Sequence, residues 1–243
     1  MKTRSILILL LMAAFCAGVL AQSVVITGKK VTYKRSKGQN EGKEDFTINY
    51  PKVKAATPAL SKRIESTISY VTNLDLNVNE QIRNSDWLGE ADYEVGYNKN
   101  GILCITLSAE GSSAYPSTNS KIVVVNLKTG LKLRPADIFV NTPGLLALVR
   151  KAKEKEVAQA IADLKKDPEN KDFDADAQFK ESAQYHKVSL SEFSVDDKGV
   201  TFHHNYDFPH VVQALQPAGE FFFSWAELKP FIKGDGLLSR MKG

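Results

Sequence analysis

The chain has 243 residues, 43% of them hydrophobic and 25% charged, with a formal charge of +4. That length supports one large domain, or two small ones sharing a core. A charge so nearly balanced supplies no clustered basic stripe, so no nucleic acid is expected as a partner.

In chain order, the first element is a leader. Lys2 and Arg4 form a basic head, Ile6 to Met12 is an unbroken apolar run, and Val19-Leu20-Ala21 precedes Gln22. This is the plan of a secretory signal peptide, residues 1–21, whose apolar segment is too short for a stable span. An uncleaved anchor is the alternative, and Phe15 before Cys16 is too bulky for a lipobox. The protein is therefore expected to be exported, periplasmic or secreted, with a mature chain from Gln22. Removing Lys2 and Arg4 takes two positive charges from +4 and leaves +2. Only Cys104 then remains, so no intramolecular disulfide is expected and the core must hold the fold. It lies in the apolar run Ile102 to Leu107, where a thiol is buried and inert. No later apolar stretch is long enough to cross a bilayer.

Ser23 to Tyr33 alternates as a strand, Ser36 to Asp45 is a polar turn, and Phe46 to Tyr50 is a strand stopped by Pro51. Thr57-Pro58 opens a helix, with Leu60, Ile64, Ile68 and Val71 at helical spacing facing inward. From Ala91 to Glu110 the period is that of a hairpin: Tyr93, Val95 and Tyr97 alternate, and Asn98-Lys99-Asn100-Gly101 turns the chain. Gly111 to Asn119 reads as a loop carrying Tyr115-Pro116, and Lys121 to Leu127 as a strand closed by Lys128-Thr129-Gly130.

Thr142-Pro143 is a second N-cap with proline. The helix it opens buries Leu145, Leu148, Val149, Ala152 and Val157, and offers Arg150, Lys151, Lys153 and Lys155 to solvent, relieved by Glu154 and Glu156. An acidic loop spans Asp167 to Asp176. Val188–Val195 and Val200–Tyr206 form a hairpin around Asp196-Asp197-Lys198-Gly199, and Phe221–Phe223 is a short strand. Ser224-Trp225-Ala226-Glu227 is a capping box that starts a final helix through Ile232.

Several clusters could carry chemistry. In His203 to His210, strand alternation sends His203, Asn205 and Asp207 to one face and His204 with Tyr206 to the other, so a metal set does not assemble and none is expected. Asp172, Asp174 and Asp176 mimic a calcium loop, but Ala177 and Ala183 stand where glycine and a bidentate glutamate are needed. Gly38 to Glu44 is one residue short of a phosphate loop and lacks its hydroxyl. Glu90, Asp92 and Glu94 are ordinary for an exposed strand. No catalytic constellation emerges, and no cofactor is expected.

Three segments do resemble a family: Phe46 to Val53; Tyr93 to Leu103 followed by Ala114 to Asn119 and by Val125 to Leu133 with Asp137-Ile138-Phe139; and Tyr206-Asp207-Phe208-Pro209-His210 followed by Phe223 to Leu228. Together, from about Phe46 to Ile232, these resemble the extracellular domain of the RsiV and PdaC type, largely paired domains of unknown function. The resemblance implies an α+β envelope domain without an active site of its own, serving RsiV as a lysozyme receptor and accompanying a peptidoglycan deacetylase domain in PdaC. This chain is expected to depart from both, since a signal peptide at its start would leave no room for a cytoplasmic sigma-binding segment and no deacetylase domain is expected after Gly243. It carries Tyr115 where the family's loop often has histidine, and His210 where tyrosine is usual after proline.

The expectation is an α+β fold with a largely antiparallel sheet, two main helices and a short C-terminal helix, divided into subdomains 22–120 and 121–243. The functional expectation is an exported, non-enzymatic binding domain of the cell envelope, with lysozyme or peptidoglycan as partner. Its expected contact residues are Tyr115, Pro116, Tyr206, Asp207 and His210. The alternatives are a wall-polymer hydrolase using acidic residues or the histidine cluster, or an accessory peptidoglycan-binding protein.

Overall fold

The structure is a computed structural model that describes residues 23–36, 44–83, 87–112, 115–170, 173–181 and 189–241. The expected signal peptide and most of the turn expected between the first two strands lie outside these residues.

The two most apolar strands determine the layering. A strand buried on both faces reads as a continuous apolar run rather than an alternating one. Strands β3 (Leu88–Lys99), β4 (Ile102–Ser112) and β5 (Pro116–Asn126) pair antiparallel in series. Ile102 and Cys104 of β4 join Val124 of β5 in one core, whereas Leu103, Ile105, Val123 and Val125 join another. The sheet is therefore a middle layer with a core on each side. It holds six strands in sequence order, adding β1 (Val25–Lys34), β2 (Asp45–Lys54) and β6 (Leu131–Lys132). Every pairing is antiparallel except β2 with β3, which is parallel through Thr47 and Ile48.

A parallel pair needs a crossover, and three helices supply it: α1 (Pro58–Thr67), α2 (Tyr70–Leu74) and α3 (Val78–Arg83). Thr57 caps α1 as expected, accepting from the Leu60 N–H, and Ile64 and Ile68 are buried. The helix stops at Thr67, however, and Ser69 caps α2 by accepting from the Thr72 N–H at 3.2 Å. That break re-phases the helical period, so Val71 turns outward and is 60% exposed. Pro51 does not stop β2 but lies within it, opposite Gly28 of β1. Because β2 meets β3 only at Thr47 and Ile48, the strand near Pro51 has a free edge that tolerates a missing N–H.

The hairpin turn between β3 and β4 is as expected, with Asn100 and Gly101 both at positive φ. The face assignment of β3 is not: the register shifts between Val95 and Tyr97. This irregularity sends Tyr97 to the core opposite the one Tyr93 touches.

The second core is roofed by a three-stranded antiparallel sheet and one long helix. After α4 (Pro135–Ile138) comes α5 (Thr142–Lys166), then a 3-10 turn (Pro168–Asn170) and α6 (Ala175–Glu181). The sheet is β7 (Phe193–Val195), β8 (Gly199–His203) and β9 (Glu220–Ser224). The cap of α5 is Asn141, in the left-handed region and accepting from Gly144, one residue earlier than the expected Thr142. The Ser224–Glu227 capping box is present and starts α7 (Trp225–Leu228). That helix ends before Ile232, which instead bridges to Phe139. A 3-10 helix (Leu237–Met241) closes the described chain.

A third, smaller core of Val157, Phe179, Tyr206 and Phe208 lies where α6 and the segment after β8 meet α5. The architecture is mixed α+β, with more helices than the two main ones and one C-terminal helix expected. Among the described residues, no helix is long and apolar enough to cross a membrane.

Candidate functional site

The two surface segments singled out by sequence meet in space. Tyr115, at the tip of the β4–β5 hairpin, is 63% exposed, and its ring stacks on the exposed His210 with centroids 4.8 Å apart and planes at 29°. The hairpin is longer than expected: strand pairing continues to Ser112 opposite Pro116, so Pro116 to Asn119 belong to β5 rather than to a loop. Residues 113 and 114 lie outside the described residues. The base of the tip is braced by Trp87, whose Nε1 donates to Ser117 Oγ at 2.8 Å and whose carbonyl accepts from the Ser112 N–H at 2.9 Å. Trp87 carried no signal in the sequence, where it follows the polar run Asn84-Ser85-Asp86.

His210 starts a 3-10 helix (His210–Leu215) directly after a tight corner. Asp207 takes a left-handed conformation with φ 57°, and its N–H donates to Asn205 Oδ1 at 2.9 Å. Asp207 is exposed beside the stack on the chain. The Phe208 N–H donates to Gln216 Oε1 at 3.0 Å, closing the corner from the other side.

Tyr206 does not present itself on this surface. It is fully buried and forms the underside of the corner, its ring edge-on to Phe179 and to His204. Its hydroxyl donates to Glu156 Oε2 at 2.7 Å, while Glu156 Oε1 accepts from the Gly219 N–H at 3.1 Å. One carboxylate of α5 thus ties both ends of the excursion between β8 and β9. Lys153, one turn earlier, is only 2% exposed, with Nζ 5.8 Å from the Tyr206 ring centroid. This corrects the reading of Lys153 and Glu156 as a solvated face. Burial pushes the Lys153 pKa down, and Arg150 adds to the effect.

The adjacent histidines face apart, as alternation requires. His203 Nε2 is 2.9 Å from Ser194 Oγ, and burial lowers its pKa despite Glu220 and Glu192. His204 faces the Tyr206 and Lys153 side, and its Nε2 is buried without a hydrogen-bond partner among the described residues. Burial first, and Lys153 second, hold its pKa at about 4. No hydrogen bond or ion pair among the described residues joins His203 to Asp207. None brings three His, Cys, Asp or Glu side chains close enough to hold a metal ion.

The remaining acidic groups have roles in the fold. Asp174 accepts from the Ala177 N–H at the start of α6, and Asp176 pairs with Lys165. Asp172 lies outside the described residues. Glu90 pairs with Lys30, and Asp92 accepts from Asn49. Cys104 is buried, and burial pushes its thiol pKa up.

No family model matches the chain, and no curated protein does. Among solved structures, the fold is similar to a member of the DUF3298 family from Bacteroides fragilis. The TM-score is 0.58 and the identity 14%, over 91% of this chain and 98% of that one. It is also similar to a DUF3298 family protein from Pseudomonas aeruginosa, with a TM-score of 0.51 and 13% identity, over 87% of this chain and 94% of that one. At such identities the likeness is one of fold.

Proposed function

We propose that this chain is an exported, non-enzymatic binding domain of the cell envelope, which engages its partner through the Tyr115–His210 stack and the Asp207 corner beside it. The observation that carries this reading is the stack: two exposed rings from distant parts of the chain hold each other at 4.8 Å. Such rings offer an apolar face and a polar tip together, the combination that recurs in contact surfaces. The resemblance to the RsiV and PdaC type makes lysozyme the first partner to test and peptidoglycan the second.

The test is calorimetric titration with lysozyme and sedimentation with purified peptidoglycan, for the wild type and for Tyr115→Ala, His210→Ala and the double variant. The expected result is saturable binding to one of the two, weakened about tenfold or more in the double variant, as for a contact centre. An unchanged affinity would move the contact elsewhere, and no binding to either would remove both partners. Turnover of peptidoglycan, lost in His203→Ala, would replace this reading with that of a hydrolase.

A further inference from the structure

A second surface feature lies where α1 and α2 cross β2, with lining residues that include none of the Tyr115–His210 surface. The helix break at Ile68-Ser69 leaves a groove of about 310 Å³. Its inner surface is apolar, formed chiefly by Ile48, Tyr50, Ile68 and Tyr70, with the two tyrosine rings edge-on at 6.1 Å. The hydroxyls of both tyrosines are already engaged: Tyr50 with Tyr33 at 2.8 Å, and Tyr70 donating to the Asn49 carbonyl at 2.8 Å. Burial raises both phenol pKa values, so the rings stay neutral. Both hydroxyls make hydrogen bonds within the protein, so the surface the two tyrosines offer the groove is chiefly that of their rings, which suits an apolar group.

The mouth differs from the interior. Val71 is exposed there, and the charged groups at the rim are Lys52, Lys62 and Glu65. Glu65 is committed on both oxygens, accepting from the Val53 N–H at 2.9 Å and from Lys52 Nζ at 3.2 Å. Lys62 has no ion pair among the described residues, so the rim carries one uncompensated positive charge. An apolar groove whose lip carries one cation without an ion pair among the described residues matches an anion attached to a hydrocarbon body. At about 30 Å³ per water-sized unit, the volume admits a ligand of about ten non-hydrogen atoms.

We propose that the α1–α2–β2 groove binds a small monocarboxylate with an unbranched apolar tail, the tail lying against Tyr50 and Tyr70 and the carboxylate meeting Lys62. This site is separate from the Tyr115–His210 surface and does not depend on it. Octanoate, which has ten non-hydrogen atoms, is the probe, with 1-octanol and acetate as controls for tail and head.

Titration of the purified protein, followed by calorimetry and by tyrosine resonances in the NMR spectrum, should show saturable octanoate binding that shifts the Tyr50 and Tyr70 signals. Acetate should not bind. Lys62→Gln should weaken octanoate about two- to fivefold, the range of an exposed ion pair, and leave 1-octanol unchanged. Ser66→Trp, an exposed position on the rim, should abolish both without altering the circular dichroism spectrum. Absence of octanoate binding to the wild type would overturn the proposal, as would octanoate binding undiminished in Ser66→Trp. Equal affinity of wild type and Lys62→Gln for octanoate would overturn recognition of the acid head.

Discussion

Lowering the pH from 7 to 4.5 should cost this protein stability through His204, and His204→Leu should remove that part of the cost. The ring is held with a pKa of about 4, against an ordinary 6.5, because burial removes water from the imidazolium and Lys153 opposes a second positive charge. The folded pKa is thus depressed below the unfolded one. As the pH falls through 6.5 the unfolded chain binds this proton first, so stability is full above that point and declines down to about 4. The whole interval corresponds to at most about 3.5 kcal/mol, at about 1.4 kcal/mol per tenfold in affinity. Partial solvent access to the ring reduces this to about 1–2 kcal/mol. The assay is urea unfolding followed by tryptophan fluorescence at several pH values from 7 to 4.5, for wild type and variant. Carboxylates and His203 titrate in both proteins, so their contributions cancel in the difference. The wild type should lose about 1–2 kcal/mol more than His204→Leu over this range. Parallel curves would refute the reasoning, since they would mean that His204 carries no folding-linked proton.

Other outcomes follow from single contacts. Tyr206→Phe removes a hydrogen bond to the Glu156 carboxylate at 2.7 Å and should cost about 1.5–2 kcal/mol in the same unfolding assay. Gly219→Ala places a Cβ 1.9 Å from the His204 carbonyl oxygen at a φ of +66°, so it should cost about 3 kcal/mol or more, read as a large drop in Tm. Ser224→Ala removes the N-cap of α7 and should cost about 1 kcal/mol by urea midpoint. Cys104, buried and with its pKa raised, should resist a thiol reagent in the native protein and react fully in denaturant.

The elements legible in the sequence were those whose signal is local. Thr57-Pro58, Asn100-Gly101 and Ser224–Glu227 each close their own hydrogen bonds within a few residues, and each lies where the pattern placed it. Expectations failed where a distant partner decides. Nothing near Lys153 in the sequence announces that Tyr206 and His204 will cover it, so a run of lysines and glutamates reads as a solvated face. Likewise the period through Leu60, Ile64 and Ile68 gives no warning that Ser69 restarts the helix and turns Val71 outward. Pro51 belongs to the same class, because the freedom of an edge depends on where β3 stops pairing. The candidate site divides along the same line: Tyr115 and His210 were identifiable as exposed loop aromatics, but their contact and the Trp87 brace are tertiary facts.

That division bears on how a partner would be met. Each ring of the stack stands on a base fixed by contacts of its own. Tyr115 follows a hairpin end tied by Trp87 to Ser112 and Ser117. His210 follows a corner held by Asn205, by Gln216, and by Glu156 through Tyr206 and Gly219. Ordering an exposed side chain on binding costs about 0.5–1.5 kcal/mol, so a pair already stacked loses less when a partner arrives. On the proposed reading, Glu156 therefore supports binding without touching the ligand. Glu156→Gln keeps the shape of the side chain but removes its charge, so it should loosen the corner and lower affinity although both rings of the stack are still present. Its effect should disappear in a His210→Ala background, because the corner then has no ring left to position. A Glu156→Gln loss that persisted undiminished in that background would mean that Glu156 acts through something other than the stack.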